Sequence, residues 1–232
     1  YRSSRGLGDV YKRQILMSVN TQSNFQLVNF FIADYPPIGV NQVLYVKYTE
    51  DIRQASITME VQVTDSETGF LSDLQGMEPV FIRIADSENK TELGGEFVVY
   101  DIQDRRNIGG KSSAVLMLCT PDFINNAANK VSRRFGKGMG IKIHDIVRKE
   151  ILGDLMGIAE ARLLNFEPCV NNFSFVSPYW NPFTAIRWLA AKAIPARKGS
   201  GRAATAGYAF YQTRSGYNFC LLYTSDAADE HS

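Results

Sequence analysis

Apolar and polar positions alternate through the first half of the chain. Over residues 56–64, Ile57, Met59, Val61 and Val63 fall on one face and Thr58, Glu60 and Gln62 on the other. A period of two is that of a strand with one buried face. Residues 43–48 read as a strand after the turn signal at Pro36, Pro37 and Gly39. Residues 79–85 and 95–102 are two more, separated by a polar loop, and residues 113–119 form a further apolar strand. Residues 25–33 fit an edge strand. Short strands with turn signals between them predict a small antiparallel β-barrel or sandwich.

The period changes at Thr120. Thr120 is placed to cap a helix that begins with Pro121, since proline lacks only an N–H that would be orphaned there. Phe123, Ala127, Val131 and Phe135 recur at helical spacing, which predicts a helix over 122–135, broken by Gly136, Gly138 and Gly140. A second helix is predicted over 143–152, with Ile143, Ile146, Val147 and Ile151 on one face and Gly153 at its end. After a loop rich in Asn, Ser and Pro, Asn181 and Pro182 open a third helix with Phe183, Ile186, Leu189, Ala190 and Ala193 on its apolar side. Residues 209–213 and 217–219 read as a hairpin around Arg214, Ser215 and Gly216. The predicted class is α+β: a β-barrel domain over 15–119, then a mixed α/β domain over 120–219.

Composition narrows the picture. Of 232 residues, 45% are hydrophobic and 21% charged, which is globular, and a net charge of +1 gives no general pull toward nucleic acid or acidic membranes. No apolar run approaches the roughly 18 residues that a spanning helix needs. Three cysteines, none in a C-x-x-C pair, fit unpaired thiols in a reducing compartment.

The two ends read differently from the rest. Residues 9–14, Asp-Val-Tyr-Lys-Arg-Gln, can be encoded by a DNA whose reverse complement, shifted by one base, encodes Cys220-Leu-Leu-Tyr-Thr and the start of Ser225. Such an inverted repeat resembles the mosaic end of a transposase sequencing adapter, read through on both sides of an insert. Two tails of ordinary composition are the alternative. On the adapter reading, residues 1–14 and 220–232 are not native and are expected to make few contacts. The insert is then a metagenomic fragment of about residues 15–219, with Met17 a candidate start and its C-terminus cut off. It retains Cys119, Cys169 and one histidine, His144.

No candidate site gathers a catalytic or ligand set. Gly109-Gly110-Lys111-Ser112 resembles the tail of a phosphate loop, but Arg105 stands where the loop needs its first glycine, so a hairpin turn fits better. Gly136 to Gly140 fits a flexible connection between helices rather than an anion cradle. Any Ser-His-Asp or Cys-His arrangement has to use His144, whose spacing gives a boundary or surface position. One histidine and two distant cysteines give no metal-ligand spacing. Asp65, Glu67 and Asp73 lack the calcium-loop pattern and read as a solvated loop. The basic segments 130–137 and 192–202 read as solvated faces, because the aromatics near them fall at core spacing. No catalytic, cofactor or metal residue is assigned, and no cofactor is expected.

The order of parts is more specific than any single motif. Residues 52–69, with their alternating stretch and Asp-Ser turn, resemble the first tube strand of phage tail hubs. Gly76-Met-Glu-Pro-Val-Phe-Ile82 resembles the next, and residues 100–102 and 116–121 continue the pattern. The Asn181-Pro-Phe183 helix, followed by residues 209–219 ending in Gly-Tyr-Asn-Phe, is similar to the baseplate central hub of T-even-like contractile-tailed bacteriophages. That resemblance implies a tail-tube-like barrel, a non-enzymatic structural role and a homotrimer in the virion baseplate, made in the host cytoplasm. It implies a trimer that links the tail tube to the central spike and passes the genome through its channel without specific binding or membrane insertion. It also implies further domains after Phe219. Another tail-tube-like or initiator protein is the alternative reading, and a tail-associated hydrolase using His144 a third.

Overall fold

The computed structural model describes residues 12–18, 25–66, 68–86, 92–196 and 205–223. The chain divides into two units, one of residues 1–51 and 56–124, the other of residues 52–55 and 125–232. The class is α+β with a barrel-like first part.

The first unit is one sheet of seven antiparallel strands: β1 (Lys12–Ser18), β2 (Phe25–Ile32), β3 (Val43–Asp51), β4 (Thr58–Asp65), β5 (Pro79–Asp86), β6 (Glu92–Ile108) and β7 (Lys111–Cys119). Their order is β1-β3-β4-β7-β6-β5-β2, and the sheet curls into a half-barrel. Alternation in the sequence is what closes it around a core. In β4, Met59, Val61 and Val63 are buried, while Glu60 and Gln62 face outward with Lys47 bonded to Glu60. Leu116 and Leu118 of β7 and Val99 of β6 meet them from neighbouring strands. A short helix α1 (Phe70–Asp73) adds Phe70 and Leu71 to the same core. Gly94 has φ +117°, and a Cβ there would lie 2.0 Å from the Ile82 carbonyl oxygen, so the β5–β6 contact requires glycine. Helix α2 (Pro121–Ala128) begins where predicted and carries the chain out of this unit.

The second unit holds β8 (Arg134–Phe135), β9 (Ile141–Lys142), α3 (Ile143–Asp145) continued by a π-helix over Ile146–Leu155, then β10 (Leu163–Phe166), β11 (Asn172–Phe173) and β12 (Phe175–Val176). Helix α4 (Pro182–Ala190), β13 (Thr205–Thr213) and β14 (Gly216–Tyr223) complete it. Strands β13 and β14 form the predicted hairpin, and β10 joins β14 in parallel. The π-helix and α4 pack Ile146, Ile151, Ile186 and Leu189 against Phe210 and Tyr217 of the hairpin.

Three local expectations change. The helix predicted over 122–135 stops at Ala128, because Asn181 takes its last carbonyls, and Phe135 sits in β8 stacked on Phe175. The helix predicted to end at Gly153 continues to Leu155, and Gly157, at φ +68°, is the glycine that ends it. Gly136 to Gly140 joins two strands rather than two helices. Of the two ends, only residues 12–14 and 220–223 lie within the described residues, and these are in strands. Lys12 to Gln14 lie opposite Asp51 to Thr49, and Cys220 lies opposite Ala209. A neighbouring strand offers backbone partners to any sequence that can extend, so such pairing does not require side chains selected to pack.

Candidate functional site

The structure joins His144 to Cys169 across 25 positions of sequence. His144 Nδ1 accepts the Cys169 backbone N–H at 3.1 Å, and the thiol sulfur lies 3.2 Å from the same nitrogen. The sulfur in turn accepts the His144 backbone N–H at 3.2 Å. The lone pair of Nδ1 is engaged by a backbone donor, which leaves the proton on Nε2, 3.6 Å from the Asp145 carboxylate. Burial pushes the Cys169 thiol up and the His144 imidazole down. A thiolate–imidazolium nucleophile needs the opposite shifts. The pair therefore acts as a neutral clamp that ties the start of α3 to the loop before β11. Sequence spacing did not bring these two residues together; only the tertiary fold does.

Most of the other singled-out groups are occupied by the protein itself. The Gly136 N–H donates to Glu150 Oε2 at 2.9 Å, and a Cβ at Gly136 would come within 2.2 Å of the Phe173 carbonyl oxygen. That glycine serves close packing and a carboxylate of the same chain. Arg133 lies over the Phe135 ring and donates to the Glu150 carbonyl, and Arg134 bonds Ser174 and the Gly138 carbonyl. Lys130 covers Tyr179 and Lys192 covers Trp188. Asp65 is buried, and its carboxylate accepts from Thr68 and Leu71. Gly109 and Gly110 form the β6–β7 turn, as predicted. Cys119 is buried in β7, its thiol pushed up to about 12 by desolvation. Among the described residues no three His, Cys, Asp or Glu side chains group as metal ligands. Glu67, Arg197, Lys198 and Arg202 lie outside the described residues.

The feature of the first unit that faces outward is its sheet edge. Among the described residues β1 and β2 each have one strand neighbour, and the β2 edge is partly covered, its Phe30 carbonyl accepting the Ile38 N–H at 2.9 Å. Beside the β2 edge, Phe31 pairs with Phe81 of β5, their rings 6.5 Å apart, and both are 40% exposed. Val28 of β2 is 47% exposed. Backbone groups open to pairing next to exposed aromatics are the chemistry of strand addition and of protein contacts.

Among solved structures, the chain is similar to the 43 kDa tail protein of prophage MuSo2 from Shewanella oneidensis, at 10% identity over 85% of this chain and 54% of that one, with a TM-score of 0.51. The fold is one that a phage tail protein uses. The chain also aligns with the E. coli c3393 protein, a component of the type VI secretion system with structural similarity to T4 bacteriophage tail proteins gp27 and gp5. That alignment has 10% identity over 91% of this chain and 50% of that one, with a TM-score of 0.48. The chain spans about half the length of these two proteins. No protein-family model and no curated protein matches it in sequence.

Proposed function

We propose that this chain is part of the central hub of a phage tail baseplate, a structural protein that assembles as a trimer and links the tail tube to the central spike. The observation that carries the reading is the curled seven-stranded sheet with a partly open, aromatic-flanked edge. The tail-protein fold over 85% of the chain supports it. A sheet that leaves its edge strands open has a surface for contact with a neighbour, and three copies in a ring each offer one edge to the next. The order of barrel strands, helices and the Asn181-Pro-Phe183 helix points to the T-even-like hub within the tail-protein fold. In that role the protein sits in the virion, contacts tube and spike, and lets the genome pass without specific binding.

The test is mass by light scattering, alone and with tail-tube and central-spike proteins, followed by imaging of the complex. A trimer that binds both is the expected result. A protein that stays monomeric and binds neither overturns the reading.

A further inference from the structure

The far end of β6 carries a surface that the baseplate reading does not use. Its last six side chains are all exposed. The β6–β7 ladder pairs Gln103 with Val115 and then Arg106 with Ser113, so β6 holds one extra residue there, and Asp104 in that bulge has φ +49°. Without the bulge, Arg106 would share the face of Ile102, which packs against the core. The extra residue turns Arg106 onto the outer face, opposite Ser113, which in turn lies opposite Thr64 of β4. Arg105 bonds the Leu74 carbonyl.

The result is a cleft of about 470 Å³ on the outer face. Arg106 and Lys111 supply cations, Thr64 and Ser113 hydroxyls, and Leu44 and Ile108 apolar walls. Ile108 is 75% exposed at the tip. Among the described residues neither Arg106 nor Lys111 forms an ion pair. Asp65 is the one acid in the lining, and its carboxylate is already taken by Thr68 and Leu71. Among the described residues the lining thus carries two cations against one carboxylate, that of Asp65, a net positive charge beside apolar surface left in water.

We infer that this cleft binds an extended acidic segment of a partner protein. Its carboxylates sit on Arg106 and Lys111, and an apolar side chain sits between Leu44 and Ile108. Arginine grips a carboxylate with two parallel N–H donors. A small inorganic anion would use the cations but gain nothing from the apolar walls. Single-stranded nucleic acid would want an aromatic platform, and no aromatic side chain lines the cleft. The inference stands whether or not the chain is a baseplate protein.

The test is fluorescence anisotropy of the whole chain with a labelled short peptide alternating Glu and Leu. A Lys/Leu peptide, inorganic phosphate and oligothymidylate run beside it. Arg106→Ala with Lys111→Ala should weaken binding by about tenfold or more, the loss of charge-assisted bonds. Ile108→Ser should weaken it by a smaller factor. Arg83→Ala, which removes a cation bonded to Glu92 elsewhere on the sheet, should leave it unchanged. All these side chains are exposed or part-exposed, and circular dichroism of each variant checks that the fold persists. Unchanged binding in the Arg106/Lys111 variant overturns the inference. So does phosphate competing as well as the peptide, or oligothymidylate binding more tightly.

Discussion

Asn126 and Asn181 hold each other's helix ends. Asn126 Oδ1 accepts the Phe183 N–H at 2.8 Å, at the start of α4, and Asn181 Nδ2 donates to the Asn126 carbonyl at 2.9 Å, near the end of α2. The same Asn181 amide reaches the carbonyls of Ala127 and Asn129. Each helix terminus leaves backbone groups without partners, and here two side chains supply them reciprocally.

Either residue changed to alanine should cost about 1–2 kcal/mol, as loss of a cap does. Because the two caps share one junction, the double variant should cost less than the sum, by about 0.5–1 kcal/mol. Urea denaturation of the four proteins measures the cycle. Costs that simply add would mean that the two helix ends are held independently.

This junction also shows where the sequence stopped being legible. Strand β4 and helix α4 could be read directly, because a period of two, or Asn-Pro followed by apolar residues at helical spacing, is a local signal. The end of α2 could not be read. Val131 and Phe135 continue its spacing, but the residue that takes its carbonyls lies 55 positions downstream of Asn126. The same holds for His144 and Cys169, and for the bulge that turns Arg106 outward, which shows only against the register of β7. The aromatic edge at Phe31 and Phe81 was half visible. Residues 25–33 read as an edge strand, and β2 lies at the sheet edge, but its pairing with β5, which sets Phe31 beside Phe81, is a matter of sheet order.

The alternation of β4 gives a sharp contrast. Val61→Asp places an unpaired carboxylate in the sheet core, where Val61 is fully buried, and should cost about 3–5 kcal/mol. Gln62→Asp, one residue along on the outer face, should cost less than about 1 kcal/mol. Denaturant midpoints of the two variants check this, and equal effects would contradict the face assignment.

His144 makes stability depend on pH. Burial lowers its pKa below the ordinary 6.5, so the unfolded chain takes up the proton first as pH falls. In that window the unfolded state binds more protons, so stability rises with pH. The contribution is fully present above 6.5 and is lost as pH falls through the lower folded value. Protonation also removes the Nδ1 lone pair that accepts the Cys169 N–H. Urea midpoints between about pH 7.5 and 5.5 should therefore fall in the native protein, and fall less in His144→Gln. Equal slopes would place the dependence elsewhere.

Buried thiols should be slow to react. The Cys119 thiol is raised to about 12 and is closed off from solvent, so at about pH 8 it carries little thiolate. Cys169 is also buried and raised, while Cys220 is part-exposed, its sulfur 3.4 Å from the Tyr211 hydroxyl. Iodoacetamide on the native protein should mark Cys220 first and reach Cys119 and Cys169 only on unfolding. Peptide mapping by mass spectrometry reads the order. Fast labelling of Cys119 in the native state would mean that β7 opens readily.

The last prediction separates an assembly surface from a packed one. Phe31 and Phe81 lie side by side next to the β2 edge, each 40% exposed, so a lysine at either position can reach water. A lysine at a sheet edge also discourages pairing with another strand. If the edge meets a second copy, Phe31→Lys should move the mass measured by light scattering toward the monomer and leave the melting temperature within a few degrees, as surface changes of about 1 kcal/mol do. Phe123→Lys is the control. Phe123 is exposed to a similar degree, 38%, and packs on Tyr100, away from the β2 edge in sheet order. It should leave assembly as it is. Loss of assembly in both variants would show general destabilisation rather than a specific edge. Loss in neither would move the contact to another face.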